Sequence, residues 1–163
     1  MSRILILMGS DSDWLVMKKA AETLLSFGVP FEAHVSSTHR SPDRTSSLVK
    51  SFSGDCIIVG AGAAAHLGGI VASYTVKPVI AVPINASALN GLDALLATAQ
   101  MPSGVPVATM AVDGAKNAAL FAISILALTD ASLQGQLAAY RRSLTEDVEK
   151  KDLSLQEHLP ERK

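Results

Sequence analysis

Four short apolar runs punctuate the chain, and each ends in glycine or small polar residues: RILILMG, DCIIVGAG, PVIAVPIN and VPVATMAV. They are rich in Ile and Val and do not alternate with polar positions, the pattern of strands covered on both faces. A further run over 29–35 carries Glu32 and His34 among its apolar residues and suits a sheet edge. Helical periodicity fills the intervals. Trp14, Met17, Ala21, Leu24 and Leu25 fall on one 3.6-residue face, and Phe27-Gly28 supplies a C-terminal stop. Ser41-Pro42 predicts an N-cap and a first-turn proline for a helix over 43–52. Later patterns predict helices over 64–74, 91–99, 115–128 and 132–150. This alternation of strand and helix predicts a doubly wound parallel sheet of about five strands.

Composition sharpens that picture. The chain has 163 residues, enough for one domain with a sizeable core. Hydrophobic residues make up 48% and charged residues 18%, an apolar balance that fits a domain partly buried by self-association. We therefore expect a single catalytic α/β domain over 1–151, C-terminal helix included, and a polar, flexible tail over 152–163. The net charge of −1 provides no basic field for nucleic acid or an anionic membrane, so an anionic ligand must be held by local donors. Cys56 is the single cysteine and lies within an apolar run; it excludes an internal disulfide and fits a buried thiol in a reducing cytosol. The first eight residues are too short for a signal sequence, and the apolar run 118–128 is too short to span a bilayer. The expectation is a soluble, cytoplasmic protein.

Three loops follow strand ends and should share one rim of the sheet, where open α/β sheets bind ligands. The first is GSDSDW, at a helix start whose free amides and positive dipole end suit a phosphate. Ser10 and Ser12 add hydroxyl donors. Asp13 suits sugar hydroxyls, while Asp11 is left for solvent; the same residues also serve as a plain helix cap. The second loop, SSTHRSP, sets His39, a proton-transfer side chain, beside the guanidinium fork of Arg40. The third, GAGAAAHLGG, brings glycine backbone close to a ligand and ends in His66. It lacks G-x-G-x-x-G spacing, because Ala65 stands where the third glycine belongs, and it has no Walker lysine. No spacing of Asp, Glu, His or Cys suits a metal cage, and we expect no catalytic role for His34 or His158.

GSDSDW, SSTHRSPD, GAGAAAHLGG, VPINASALNGLDALLATAQMPSGVPV and GAKNAAL occur in an order that closely resembles the 5-(carboxyamino)imidazole ribonucleotide mutase family (class I) of purine synthesis. The resemblance runs from Ile4 to about Val148. It implies a three-layer α/β/α sandwich with a flavodoxin-like doubly wound sheet. It implies a ribonucleotide substrate, no ATP, metal or organic cofactor, and a homo-octamer with sites at subunit junctions. It also implies roles residue by residue: Ser10, Ser12 and Arg40 at the phosphate, Asp13 at the ribose, and Ser37 and His39 beside the migrating carboxylate. His39 is then the acid/base, while Gly62, Ala63 and His66 line the carboxylate pocket.

Some positions depart from the family pattern. Ala63 replaces a usual glycine, Gly68-Gly69 stands for proline-glycine, Ser103 stands for arginine or glycine, and the turn Val112-Asp113-Gly114 is short. The nearest rival is the class II carboxylase, which uses carbon dioxide directly, has lysine in place of Arg40 and lacks the histidine-bearing third loop. Arg40, Pro42 and His66 favour the mutase, and Ser103 leans the other way. A non-catalytic nucleotide-binding module would use GSDSDW and Arg40 but gives no reason for Ser37 and His39.

Overall fold

The computed structural model describes residues 3–160. The predicted strands form β1 (Ile4–Met8), β2 (Phe31–Val35), β3 (Cys56–Gly62), β4 (Val79–Ile84) and β5 (Ala108–Thr109), all paired in parallel in the order β2-β1-β3-β4-β5. Helices α1 (Trp14–Ser26), α2 (Pro42–Ser51), α3 (Leu67–Ser73) and α4 (Leu92–Ala99) connect them, followed by α5 (Ala115–Leu126) and α6 (Ala131–Glu157). This is the three-layer α/β/α, flavodoxin-like arrangement, with helices on both faces of the sheet. β1 and β4 are buried along their whole length, whereas β2 at the edge is half-exposed, as its polar residues require.

Strand alternation assigns each apolar side chain to a layer. Leu5, Leu7, Ile57, Val59, Val79 and Ala81 pack with Val49 and Phe52 around α2 and with Leu67 and Val71 of α3. The alternate residues face α1, where Gly60 lies so close to Met17 that an added Cβ would sit 2.4 Å from its sulfur. Burying each of the large aliphatic side chains contributes roughly 1.5–3 kcal/mol.

Several elements differ from the sequence expectation. On α1 the buried stripe is Met17, Ala20, Ala21 and Leu24, while Trp14 and Leu25 are exposed. Both lie about 70–90° off the stripe's centre at about 100° per residue. Ser41 makes no cap; its hydroxyl instead donates to the Ser37 carbonyl at 3.0 Å. α3 starts at Leu67 rather than 64 because the chain first turns through Ala63, whose φ is +47°. β5 shrinks to two residues beside Pro83 of β4. The carbonyls of Ala81 and Pro83 both accept from that side, from Met110 and Asp113, so the missing proline N–H falls where the strand has ended.

The chain forms two compact units, Met1–Ile125 and Leu126–Lys163. In the second, Asp130 caps α6 by accepting from the Leu133 amide at 3.2 Å. The helix runs on to Glu157, past Asp152, where the sequence reading starts a loose tail. Asp152 there accepts from Gln156 one turn later at 3.4 Å, an i,i+4 pair that supports the helix. Among the described residues no helix is long and apolar enough to cross a membrane.

Candidate functional site

GSDSDW forms a single 3-10 turn, Asp11–Asp13, ahead of α1. Ser10 is its N-cap, and the Asp13 carboxylate reaches back to accept from the Ser10 amide at 2.9 Å, completing a capping box. Asp13 is 5% exposed. Burial raises its pKa above the ordinary value, against the lowering effect of the Ser10 amide. Asp11 stays exposed, yet its Oδ1 accepts from the Ser10 hydroxyl at 3.1 Å and the Ser12 amide at 3.0 Å. The Ser12 hydroxyl donates to Ser10 Oγ at 3.0 Å. Cap and donor cluster are therefore one structure.

The second loop is anchored below and tied sideways. Ser36 and Thr45 share a buried hydroxyl–hydroxyl bond of 2.8 Å that fixes the loop to α2. Above it, Ser37 Oγ accepts from the Arg40 amide at 3.3 Å. The Arg40 guanidinium donates to the Gly9 carbonyl at 2.9 Å, spending one of its five N–H groups on the first loop. His39 Nε2 lies 2.9 Å from Nδ1 of His66, with the rings edge to face.

His66 is delivered by the third loop, which turns sharply. Ala63 takes a left-handed φ of +47°, an arrangement costing an L-residue about 1–2 kcal/mol. Ala65 and His66 then donate to the carbonyls of Ala63 and Ala64, each at 2.8 Å. Gly62 must be glycine for a packing reason: an added Cβ would sit 2.4 Å from the Cβ of Ala86.

These loops enclose a cavity of about 360 Å³ at the carboxyl ends of β1, β2 and β3. Ser10, Ser12 and Asp13 form one wall, Ser37, His39 and Arg40 a second, Gly62 and Ala63 a third. The structure thus gathers eight of the nine sequence-predicted site residues on one surface. His66, the ninth, touches the cavity only through His39. Gly9, Thr38, Ala61, Ala64 and Leu67 complete the lining beside them, and Ala86 after β4 closes it. Ala86 carries no chemical signal in sequence; only its place at a strand end pointed to this rim.

His39, Arg40 and His66 remain exposed, so a proton-transfer group and a cationic fork face an open ligand-sized space. Among the described residues no three His, Cys, Asp or Glu side chains group to hold a metal ion. His34 pairs instead with Glu32 at 3.8 Å, and His158 donates to the Ser154 carbonyl at 2.6 Å. Cys56 is buried and its thiol is pushed up to about 12 by that burial.

Residues 3–147 match the family model described as AIR carboxylase. The N5-carboxyaminoimidazole ribonucleotide mutase of Pyrococcus horikoshii is 52% identical over 155 residues, covering 93% of this chain and 88% of that protein. The enzyme of the same name from Methanocaldococcus jannaschii is 48% identical, covering 94% of this chain and 98% of its own. A crystal structure of Treponema denticola PurE matches with a TM-score of 0.85 and 28% identity, over 93% of this chain and 97% of that one.

Proposed function

This chain belongs to the AIR carboxylase family, and from that premise we propose that it is an N5-carboxyaminoimidazole ribonucleotide mutase of purine synthesis. It moves the carboxylate from the exocyclic nitrogen to ring carbon C4 without ATP, metal or organic cofactor. The observation that carries the reading is His39 on the wall of a cavity whose other walls bear Ser10, Ser12, Asp13 and Arg40.

Protonated His39 gives its proton to the exocyclic nitrogen as the carbon–nitrogen bond breaks, releasing carbon dioxide and a neutral aminoimidazole. C4 then attacks the carbon dioxide, and neutral His39 removes the proton left on that carbon. One group serves as acid and base, and the proton count closes. Such positioned transfer contributes about 10²–10⁴-fold, so holding the two fragments together must supply much of the rest. Arg40, Ser10 and Ser12 hold the phosphate and Asp13 the ribose hydroxyls. Ser37 stands beside the carboxylate, Gly62 and Ala63 shape the space it crosses, and His66 acts there through His39.

The single chain leaves His39, Arg40 and His66 open to solvent, and carbon dioxide would escape from such a site. Assembly into a homo-octamer in the cytoplasm, with sites at subunit junctions, closes it. Leu89, Leu92 and Leu96 around α4, each at least half exposed, supply apolar surface for that contact.

The test is interconversion of the two carboxylated isomers by purified protein, without ATP or added bicarbonate. Stoichiometric entry of labelled bicarbonate from the uncarboxylated nucleotide would instead mark a carboxylase.

A further inference from the structure

Among the described residues, Asp113 is one of three non-glycine residues with positive φ, at +58°. Such strain persists only where surrounding structure holds it in place. Its backbone amide donates to the Pro83 carbonyl at 2.9 Å, at the end of β4. Its side chain turns back to the same strand end, where Oδ1 accepts from the Asn85 amide at 3.0 Å. The neighbouring Val112 supports the far end of the same loop, for a Cβ on Gly91 would sit 2.6 Å from its Cγ1.

Between these two supports runs the segment 85–90, exposed apart from the half-buried Ser87, which includes the cavity residue Ala86. Ala86 is seated against Gly62 without room for one added methyl group. Its position depends on where Asn85 leaves β4, and the Asp113 carboxylate holds that departure point.

We propose that Asp113 is a positioning residue for the substrate cavity: its carboxylate braces Asn85 and so sets Ala86 against Gly62 as the closing wall. The inference rests on reading the cavity as the nucleotide site. Asp113 touches no substrate. It acts through Ala86, on the wall away from His39, so its loss weakens substrate binding and leaves proton transfer alone.

Two variants separate this role from general stability. Asp113→Gly removes the carboxylate but accepts the left-handed backbone, so the fold persists. Asp113→Asn keeps an oxygen acceptor and also tolerates that backbone. In Asp113→Gly the Asn85 amide should exchange with solvent at least about tenfold faster. Its KM for the carboxyamino nucleotide should rise about fivefold, the loss of one hydrogen bond, with kcat within about twofold. Asp113→Asn should restore both values. Unchanged exchange at Asn85, an unchanged KM, or a fall in kcat alone in Asp113→Gly overturns the proposal. If the wild-type protein lacks mutase activity, the nucleotide reading fails by itself, and exchange at Asn85 and Ala86 still decides the brace.

Discussion

The imidazoles of His39 and His66 meet edge to face at 84°, with Nε2 of His39 2.9 Å from Nδ1 of His66. One of those two nitrogens carries the shared proton and the other accepts it, so the bond holds the His39 ring in one orientation. Replacing His39 with Asn should keep nucleotide binding by calorimetry but lower turnover by about 10²–10⁴-fold. His66→Asn, too short to keep the contact, should lower turnover about tenfold through lost orientation. Wild-type turnover in His39→Asn would remove the role assigned to it.

Asp11 predicts an effect of the opposite sign. Its carboxylate takes donors from Ser10 and Ser12 that a bound phosphate would use, and it adds a like charge beside that anion. Asp11 is exposed, so removing it leaves no hole. Asp11→Ala should therefore lower the KM for the nucleotide, by about threefold for one competing hydrogen bond. Steady-state kinetics at low ionic strength, where the like charge is least screened, give the largest difference.

Asp13 gives a pH signature. Its folded pKa lies above the unfolded value of 3.8, so the native state binds more protons than the unfolded chain above that pH. Stability from this group is thus greatest in acid and is lost as pH rises through the raised folded value. Asp13→Asn should be at least as stable as wild type at pH 7, with the advantage vanishing below about pH 4. Its KM should rise about tenfold as a charged acceptor is lost. Denaturant melts at both pH values check the first claim and kinetics the second.

Two neighbouring positions in the third loop should differ in how much they tolerate substitution. Gly62→Ala forces a methyl group against Ala86 and against the Ile84 carbonyl 3.2 Å away. It should cost about 1–3 kcal/mol in thermal unfolding and lower kcat/KM by displacing the cavity wall. Ala63→Gly relieves a left-handed alanine at φ +47°. The relief is offset by the freer unfolded chain, so stability should change by less than about 1 kcal/mol. Destabilisation by Ala63→Gly larger than that of Gly62→Ala would contradict this account of the loop.

Local pattern made most of the fold legible. The unbroken Ile and Val runs named β1, β3 and β4, and the polar β2 declared itself an edge. The site residues were legible because ligand chemistry at strand ends needs hydroxyls, carboxylates and a histidine in few places. Misreadings arose where neighbours override local preference. Trp14 and Leu25 look apolar enough to bury, but helix geometry turns them off the packed stripe. Ser41 looks like a cap, but the Ser37 carbonyl takes its hydroxyl.

Sequence alone determined which residues could carry chemistry and that their loops share one rim, because strand order and loop content follow from local patterning. Tertiary structure alone decided that His66 reaches His39, that Arg40 ties to Gly9, and that Ala86 closes the cavity under a brace from Asp113. The three hydrogen bonds join residues 27 to 31 apart, and Ala86 closes the cavity by a van der Waals touch on Gly62 from the next strand end. Such contacts leave no period or spacing in the chain; they exist only once the sheet has set the loops side by side.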